Sequence, residues 1–136
     1  VTVHNQQIAN INQGVMVLIG IQAGDTILDA QSIIKKIVEL RIFSNQEGKF
    51  DHSLLDIKGD ALLLSQFPLL ANCQKGRRPS FTKAAPPSAA ADLFDQTVAV
   101  LKSYSIGSVQ TGQFGADMQV TLTNDGPVTI PLDSRL

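Results

Sequence analysis

One cysteine, almost no net charge and no long apolar run set the first limits on this 136-residue chain. The lone Cys73 permits no intrachain disulfide and no cysteine-rich metal site, and a reduced compartment is the simplest reading. Twelve acidic residues against eleven basic ones leave a formal charge of -1, so any nucleic-acid affinity has to come from a local patch. The longest apolar run, Val15 to Ile21, falls far short of the roughly 20 residues a membrane-spanning helix needs, and no signal peptide is visible. Hydrophobic content of 43% and charged content of 17% fit a globular chain rather than a disordered one. The length suffices for one domain with a core, not for two.

The familiar catalytic signatures are missing too. There is no G-x-S-x-G elbow, no phosphate-cradling G-x-x-x-x-G-K, no G-x-G-x-x-G and no H-E-x-x-H. His4 lies near a terminus and His52 in a turn-rich stretch. Asp51-His52-Ser53 contains the residue types of a hydrolytic triad, but triad members converge in space and rarely adjoin in sequence. Cys73 lies beside basic residues, yet no histidine is placed to act as its base, so it reads as structural or incidental. Metal binding is poorly supported, and no cofactor is expected.

What is present is a mixed α/β pattern. From Ile27 to Leu40 the residues Ala30, Ile33, Ile34, Ile37 and Val38 fall at helical spacing and make one apolar stripe. Thr26, with Asp29 three residues on, forms a capping-box signature at its start. A second helix is expected from Ala89 to Ser103. Pro86-Pro87-Ser88 introduce it, Ala90, Leu93, Phe94, Thr97, Val98 and Leu101 form its buried face, and Gly107 follows. Val15 to Ile21 and Ala61 to Phe67 are continuous apolar runs, as expected of central strands buried on both faces. Met118, Val120 and Leu122 alternate with polar residues, and Val128, Ile130 and Leu132 continue that alternation after a Gly-Pro break. Asn45 to Gly48 and Lys58-Gly59-Asp60 read as turns. The expected order is β-β-β-α-β-β-α-β-β-β, as layered sheets with two helices, without internal repeat or linker.

Two stretches stand outside that scaffold. Asn72 to Pro87 has no hydrophobic periodicity and holds Lys75, Arg77, Arg78 and Lys83 with no acidic residue. A solvated charged loop and a phosphate-contacting surface both fit it, the second because cations gain affinity by releasing counterions from nucleic acid. Asn124-Asp125-Gly126-Pro127 interrupts a strand pattern. An ordinary hairpin turn and a cis X-Pro bond with a purpose are both open there.

Five segments, in order and in register, resemble the D-aminoacyl-tRNA deacylase family. They are Leu40-Arg41-Ile42-Phe43, Ser65-Gln66-Phe67, Lys75-Gly76-Arg77-Arg78-Pro79-Ser80-Phe81, Phe114-Gly115-Ala116-Asp117-Met118 and Thr123-Asn124-Asp125-Gly126-Pro127-Val128-Thr129. The resemblance spans almost the whole chain. It implies hydrolysis of the ester joining a D-amino acid, or glycine, to the 3′ end of tRNA, as chiral proofreading in the cytoplasm. It also implies a homodimer with each active site at the subunit interface.

Within that resemblance the catalytic strand end is Ser65, Gln66, Phe67 and Pro68. Gly126 and Pro127 form a cis pair that reaches into the partner's pocket as a chirality gate. Phe114, Ala116 and Met118 line the wall for the terminal adenosine, and Lys75, Arg77 and Arg78 meet acceptor-stem phosphates. Parallel carbonyls at the gate would reject an L side chain by steric clash, admit a D residue and be blind to glycine. Donors near Gln66 and the Phe67 N–H would stabilise the developing oxyanion, with the 2′-OH of the adenosine assisting water.

Two departures from the family pattern matter. Its Ser-Gln-Phe-Thr motif ends here in Pro68, which has neither a hydroxyl nor a backbone N–H. Its N-terminal strand, with a Gln-Arg-Val run whose arginine helps to hold the Gly-Pro pair, is not in this sequence. The chain opens without Met on the strand-like Val1-Thr2-Val3, and the expectation is that a segment lies upstream. A catalytically silent relative that binds the acceptor end stands as an alternative, as does a deacylase with a trans Gly-Pro pair acting on mischarged L-aminoacyl-tRNA.

Overall fold

The computed structural model describes residues 1–136. A hairpin opens the chain, with β1 (Thr2–Val3) antiparallel to β2 (Gln6–Gln7). Both residues between them, His4 and Asn5, have positive φ, as a tight two-residue hairpin turn requires. His4 is therefore a turn residue. Then come β3 (Gly14–Ile19), helix α1 (Ile27–Glu39), and a short hairpin of β4 (Phe43–Ser44) and β5 (Phe50–His52). Helix α2 (Leu54–Ile57), β6 (Asp60–Ser65), a 3-10 turn (Phe67–Leu70), helix α3 (Pro87–Lys102) and β7 (Val109–Thr111) complete it.

The scaffold is a parallel sheet ordered β3-β6-β7, with Gly14 level with Asp60 and Ala61 level with Val109. Side chains alternate across it as a pleat demands. Val15, Val17, Ile19, Ala61 and Leu63 face the helices, where Ile34 and Val38 of α1, Leu54 of α2, and Phe94 and Leu101 of α3 complete the main core. Met16, Leu62 and Leu64 face the other way, onto a small cluster with Ala9 and Met118. Leu63 is fully buried, and burying a leucine contributes about 1.5–3 kcal/mol.

The mixed α/β class holds, and both long helices lie where their apolar stripes place them. The Thr26–Asp29 capping box is formed, with the Thr26 hydroxyl accepting from the helix and the Asp29 carboxylate from the Thr26 N–H at 2.9 Å. Turns form at Asn45–Gly48 and at Lys58. No helix is long and apolar enough to cross a membrane.

Four details differ from the expectation. A third, short helix is present, α2, because Ser53 and Asp56 make a second capping box. Only β6 is buried on both faces; β3 is an edge strand, and its Leu18 is 39% exposed. The run Ala61 to Phe67 leaves the sheet at Ser65, where the chain turns into the 3-10 segment that Pro68 favours. Finally, Met118–Leu122 and Val128–Leu132 carry the strand alternation but form no strand beyond a single bridge between Thr2 and Gln119. Val120, Leu122, Ile130 and Leu132 stay exposed, since no neighbouring strand of this chain pairs with them and Pro131 lacks the N–H a ladder needs.

Candidate functional site

In open parallel α/β sheets, ligand sites collect beyond the carboxyl ends of the strands. Here those ends are Ile19-Gly20, Ser65-Gln66 and Thr111-Gly112. Ser65 closes β6 half-buried. The Gln66 N–H is spent on the Ile19 carbonyl at 2.7 Å, which leaves its side-chain amide as the group it can offer. The Phe67 N–H stands at the first position of the 3-10 turn, where leading amides have no partner within the turn, and it donates to nothing else in the chain. Pro68 sits next in that turn, a position where the missing N–H leaves no bond unmade. Gly20 lets β3 pass close by: a Cβ there would lie 3.2 Å from Leu69 Cβ and 3.4 Å from the Gln66 carbonyl.

The strand end is joined to the basic loop. Phe67, 55% exposed, meets Phe81 edge-to-face with ring centroids 4.9 Å apart. Asn72 and Ser80 exchange backbone hydrogen bonds of 2.7 and 2.9 Å, closing a loop that carries Lys75, Arg77 and Arg78, all exposed. None of these cations, nor Lys83, is paired with a carboxylate; the ion pairs of the chain are Arg41–Asp51 and Arg135–Asp25. The far end of the loop is tied to the segment after β3, with the Ala23 N–H on the Lys83 carbonyl and the Ala85 N–H on the Ile21 carbonyl.

The stretch Phe114–Met118 wraps the β7 edge. Phe114 packs against Phe94 of α3, with centroids 6.2 Å apart, and borders a cleft of about 530 Å³ with Ile8, Lys102 and Gln110. Ala116 is half-buried. Met118 lies on the opposite face, among Leu62 and Leu64. Gly112 makes room there, since a Cβ would come within 2.6 Å of Leu64 Cδ2. Within one chain Phe114 and Met118 thus serve different faces of the sheet.

Gly126 and Pro127 are exposed, and the peptide bond between them is cis. The turn's hydrogen bonds are internal: the Val128 N–H donates to Asn124 Oδ1 at 2.8 Å and Asn124 Nδ2 to Thr129 Oγ1 at 2.9 Å. No hydrogen bond joins it to residues 65–68 of the same chain.

Asp51-His52-Ser53 is structural. The hydrogen bond from Arg41, then that from Asn45, holds the Asp51 carboxyl below its ordinary value. Ser53 is the buried cap of α2, and its N–H and hydroxyl lower Asp56 likewise. Cys73 is exposed and free. No group of three or more His, Cys, Asp or Glu side chains converges to hold a metal ion.

Two contacts have no local signal in the sequence: Arg135 reaches back to Asp25 at 2.6 Å, and the Ser134 hydroxyl donates to Asp29 at 2.9 Å. Residues so far apart declare nothing by spacing.

Fold and site together define a mixed α/β domain whose available polar groups are main-chain amides and loop cations, not a nucleophile with its base. The model of the D-Tyr-tRNA(Tyr) deacylase family matches residues 1–133, and the chain belongs to that family. A D-aminoacyl-tRNA deacylase of Roseiflexus sp. (strain RS-1) is 49% identical over all of this chain and 87% of its own length. Another, from Chloroflexus aurantiacus (strain ATCC 29364 / DSM 637 / Y-400-fl), is 52% identical over 98% of this chain and 83% of its own. Among solved structures, one described as c-Myc DNA Unwinding Element Binding Protein superposes with a TM-score of 0.90 at 38% identity, covering 97% of this chain and 89% of that one.

Proposed function

We propose that this protein hydrolyses the ester of D-aminoacyl-tRNA, releasing the D-amino acid and tRNA as a proofreading step of translation in the cytoplasm. Glycyl-tRNA is a second substrate on this reading, and no cofactor takes part. Residues 1–136 act as one domain, and two copies assemble into the working dimer. The observation that carries the reading is the free Phe67 N–H beside the Gln66 amide, linked through Phe81 to an unpaired cationic loop.

The chemistry follows from that arrangement. An ester carbonyl placed at the strand end accepts from the Phe67 N–H and the Gln66 side chain, which stabilise the oxyanion as it forms; one such donor is worth roughly a hundredfold or more in rate. Water attacks, assisted by the adenosine 2′-OH, and the 3′-oxygen leaves with a proton. Pro68 costs this route nothing, because the amide donor and hydroxyl that a threonine would bring there have no part in it. Lys75, Arg77 and Arg78 hold the phosphates of the acceptor stem, and Phe114 with Ala116 supports the terminal nucleoside, whereas Met118 packs on the other face of the sheet.

Gly126 and Pro127 act on the second copy's site. The exposed apolar residues Leu18, Leu122, Ile130 and Leu132 fit the same reading, since a surface of this kind is commonly covered by a partner. Specificity comes from the gate carbonyls, which leave space for a hydrogen or a D side chain's exit but not for an L side chain.

The test is incubation of the purified protein with matched D-, L- and glycyl-tRNA, following loss of the ester. The D and glycyl esters should fall while the L ester persists. Binding of the acceptor end without cleavage of any ester would establish the silent-relative alternative instead; the trans-type alternative does not fit the cis Gly126-Pro127 bond, and cleavage of the L ester would contradict the selectivity of this reading.

A further inference from the structure

The segment from Val120 to Leu132, which carries Gly126 and Pro127, hangs between two anchors. At its start Thr2 and Gln119 exchange backbone hydrogen bonds of 2.9 Å each way. At its end lies the Asp25–Arg135 contact, supported by the Ser134–Asp29 hydrogen bond. Between these points its residues are almost all exposed and its hydrogen bonds are confined to the Asn124–Thr129 turn.

Resting on the deacylase reading above, we propose that Arg135 and Asp25 are positioning residues that fix the root of this arm and thereby set the rate and handedness of cleavage. Asp25 is suited to the task. Its side chain is only 11% exposed, and its second oxygen accepts from the Gln22 N–H at 2.7 Å, so the carboxylate is immobilised before Arg135 arrives. Arg135 is in turn steadied by a bond from its own N–H to Asp133 at 2.9 Å.

Asp25 also belongs to the segment that organises the rest of the site. Residues 19–25 receive the Gln66 N–H through Ile19 and meet the basic loop through Ile21, Ala23 and the Gln22–Ala84 bridge. The clasp therefore ties the gate-bearing arm to the same short stretch that holds the strand end and the cationic loop. Positional errors near an ångström are enough to cost such a reaction up to a hundredfold.

The test compares wild type with Arg135→Ala, Arg135→Lys and the exchange of charges Asp25→Arg/Arg135→Asp. Arg135→Ala should lower kcat on D-aminoacyl-tRNA by roughly tenfold or more, leave KM within about twofold because the RNA-holding loop is untouched, and narrow the D-over-L ratio. Arg135→Lys should recover most of both, and the charge exchange only part, because it removes the acceptor of the Gln22 N–H. Amide exchange read by mass spectrometry should quicken at the bonded amides of the arm and its root, Val128 and Leu136, in Arg135→Ala alone. That readout needs no substrate, so it judges the clasp even if no ester is cleaved and the deacylase reading fails. Unchanged exchange in the arm, an unchanged D-over-L ratio, or a kcat loss that Arg135→Lys does not relieve would each overturn the proposal.

Discussion

The two faces of the three-stranded sheet are finished to different degrees. On one, α1 and α3 lie over Val15, Val17, Ala61 and Leu63, and Ile34, Val38, Leu54 and Leu101 are wholly or nearly wholly out of water. On the other, a cluster of three buried residues, Ala9, Leu62 and Leu64, is all that closes, and Leu18 remains in solvent. The arm beyond Met118 shows the same incompleteness: alternating apolar residues with nothing of this chain to pack on. One face is closed by this chain's own helices and the other is left open, and Gly126 and Pro127 belong with the second.

Substitutions that spare one face and strike the other would break this contrast if it is wrong. The largest effect is expected on the helix side. Leu63→Ala should lower the unfolding free energy by about 2–5 kcal/mol, measured by denaturant titration, and act on the folded state of each chain. On the other side, Leu122 is 51% exposed. Leu122→Asp should leave the chain folded yet weaken self-association by roughly 30-fold or more, seen as a halved mass in sedimentation at low concentration. An unchanged mass would remove the arm from the interface.

The smallest effect sharpens the contrast where the two regions join, at Asp29. The Thr26 N–H and then the Ser134 hydroxyl hold its carboxyl below the ordinary 3.8. A carboxyl lowered in the folded state adds stability that is full above its unfolded value and fades as pH falls through the folded one. Asp29→Asn should therefore melt below wild type at neutral pH, with the gap closing only in acid below 3.8. A gap that persists there would assign the loss to packing.

Legibility in the sequence follows the same division. The stripes of α1 and α3 record burial against this chain's own sheet, so their helices could be read nearly to the residue, and the Thr26–Asp29 box marked a true start. The Ser53–Asp56 box carries the same signal, but the four-residue helix it starts is too short to show an apolar stripe. Strand ends were overrun at Gly20 and Phe67, where apolar residues continue past the last ladder bond. Alternation from Met118 to Leu132 reports sidedness, not pairing, and one chain supplies no pairing there. The candidate site's residues are named by resemblance alone. That Gln66 spends its N–H on Ile19 while Phe67 keeps its own depends on where the sheet stops, which no local pattern encodes.

The most direct measurement is complementation between subunits. Gln66→Ala damages the strand end, and Gly126→Trp would plug the second copy's site that the arm is proposed to enter. Each homodimer should be nearly inactive on D-aminoacyl-tRNA. Co-expressed in equal amounts, they should regain about a quarter of wild-type activity, because half of the two-fold dimers would be mixed and each would hold one intact site. Activity no greater than that of the separate variants would contradict a site completed by a second copy.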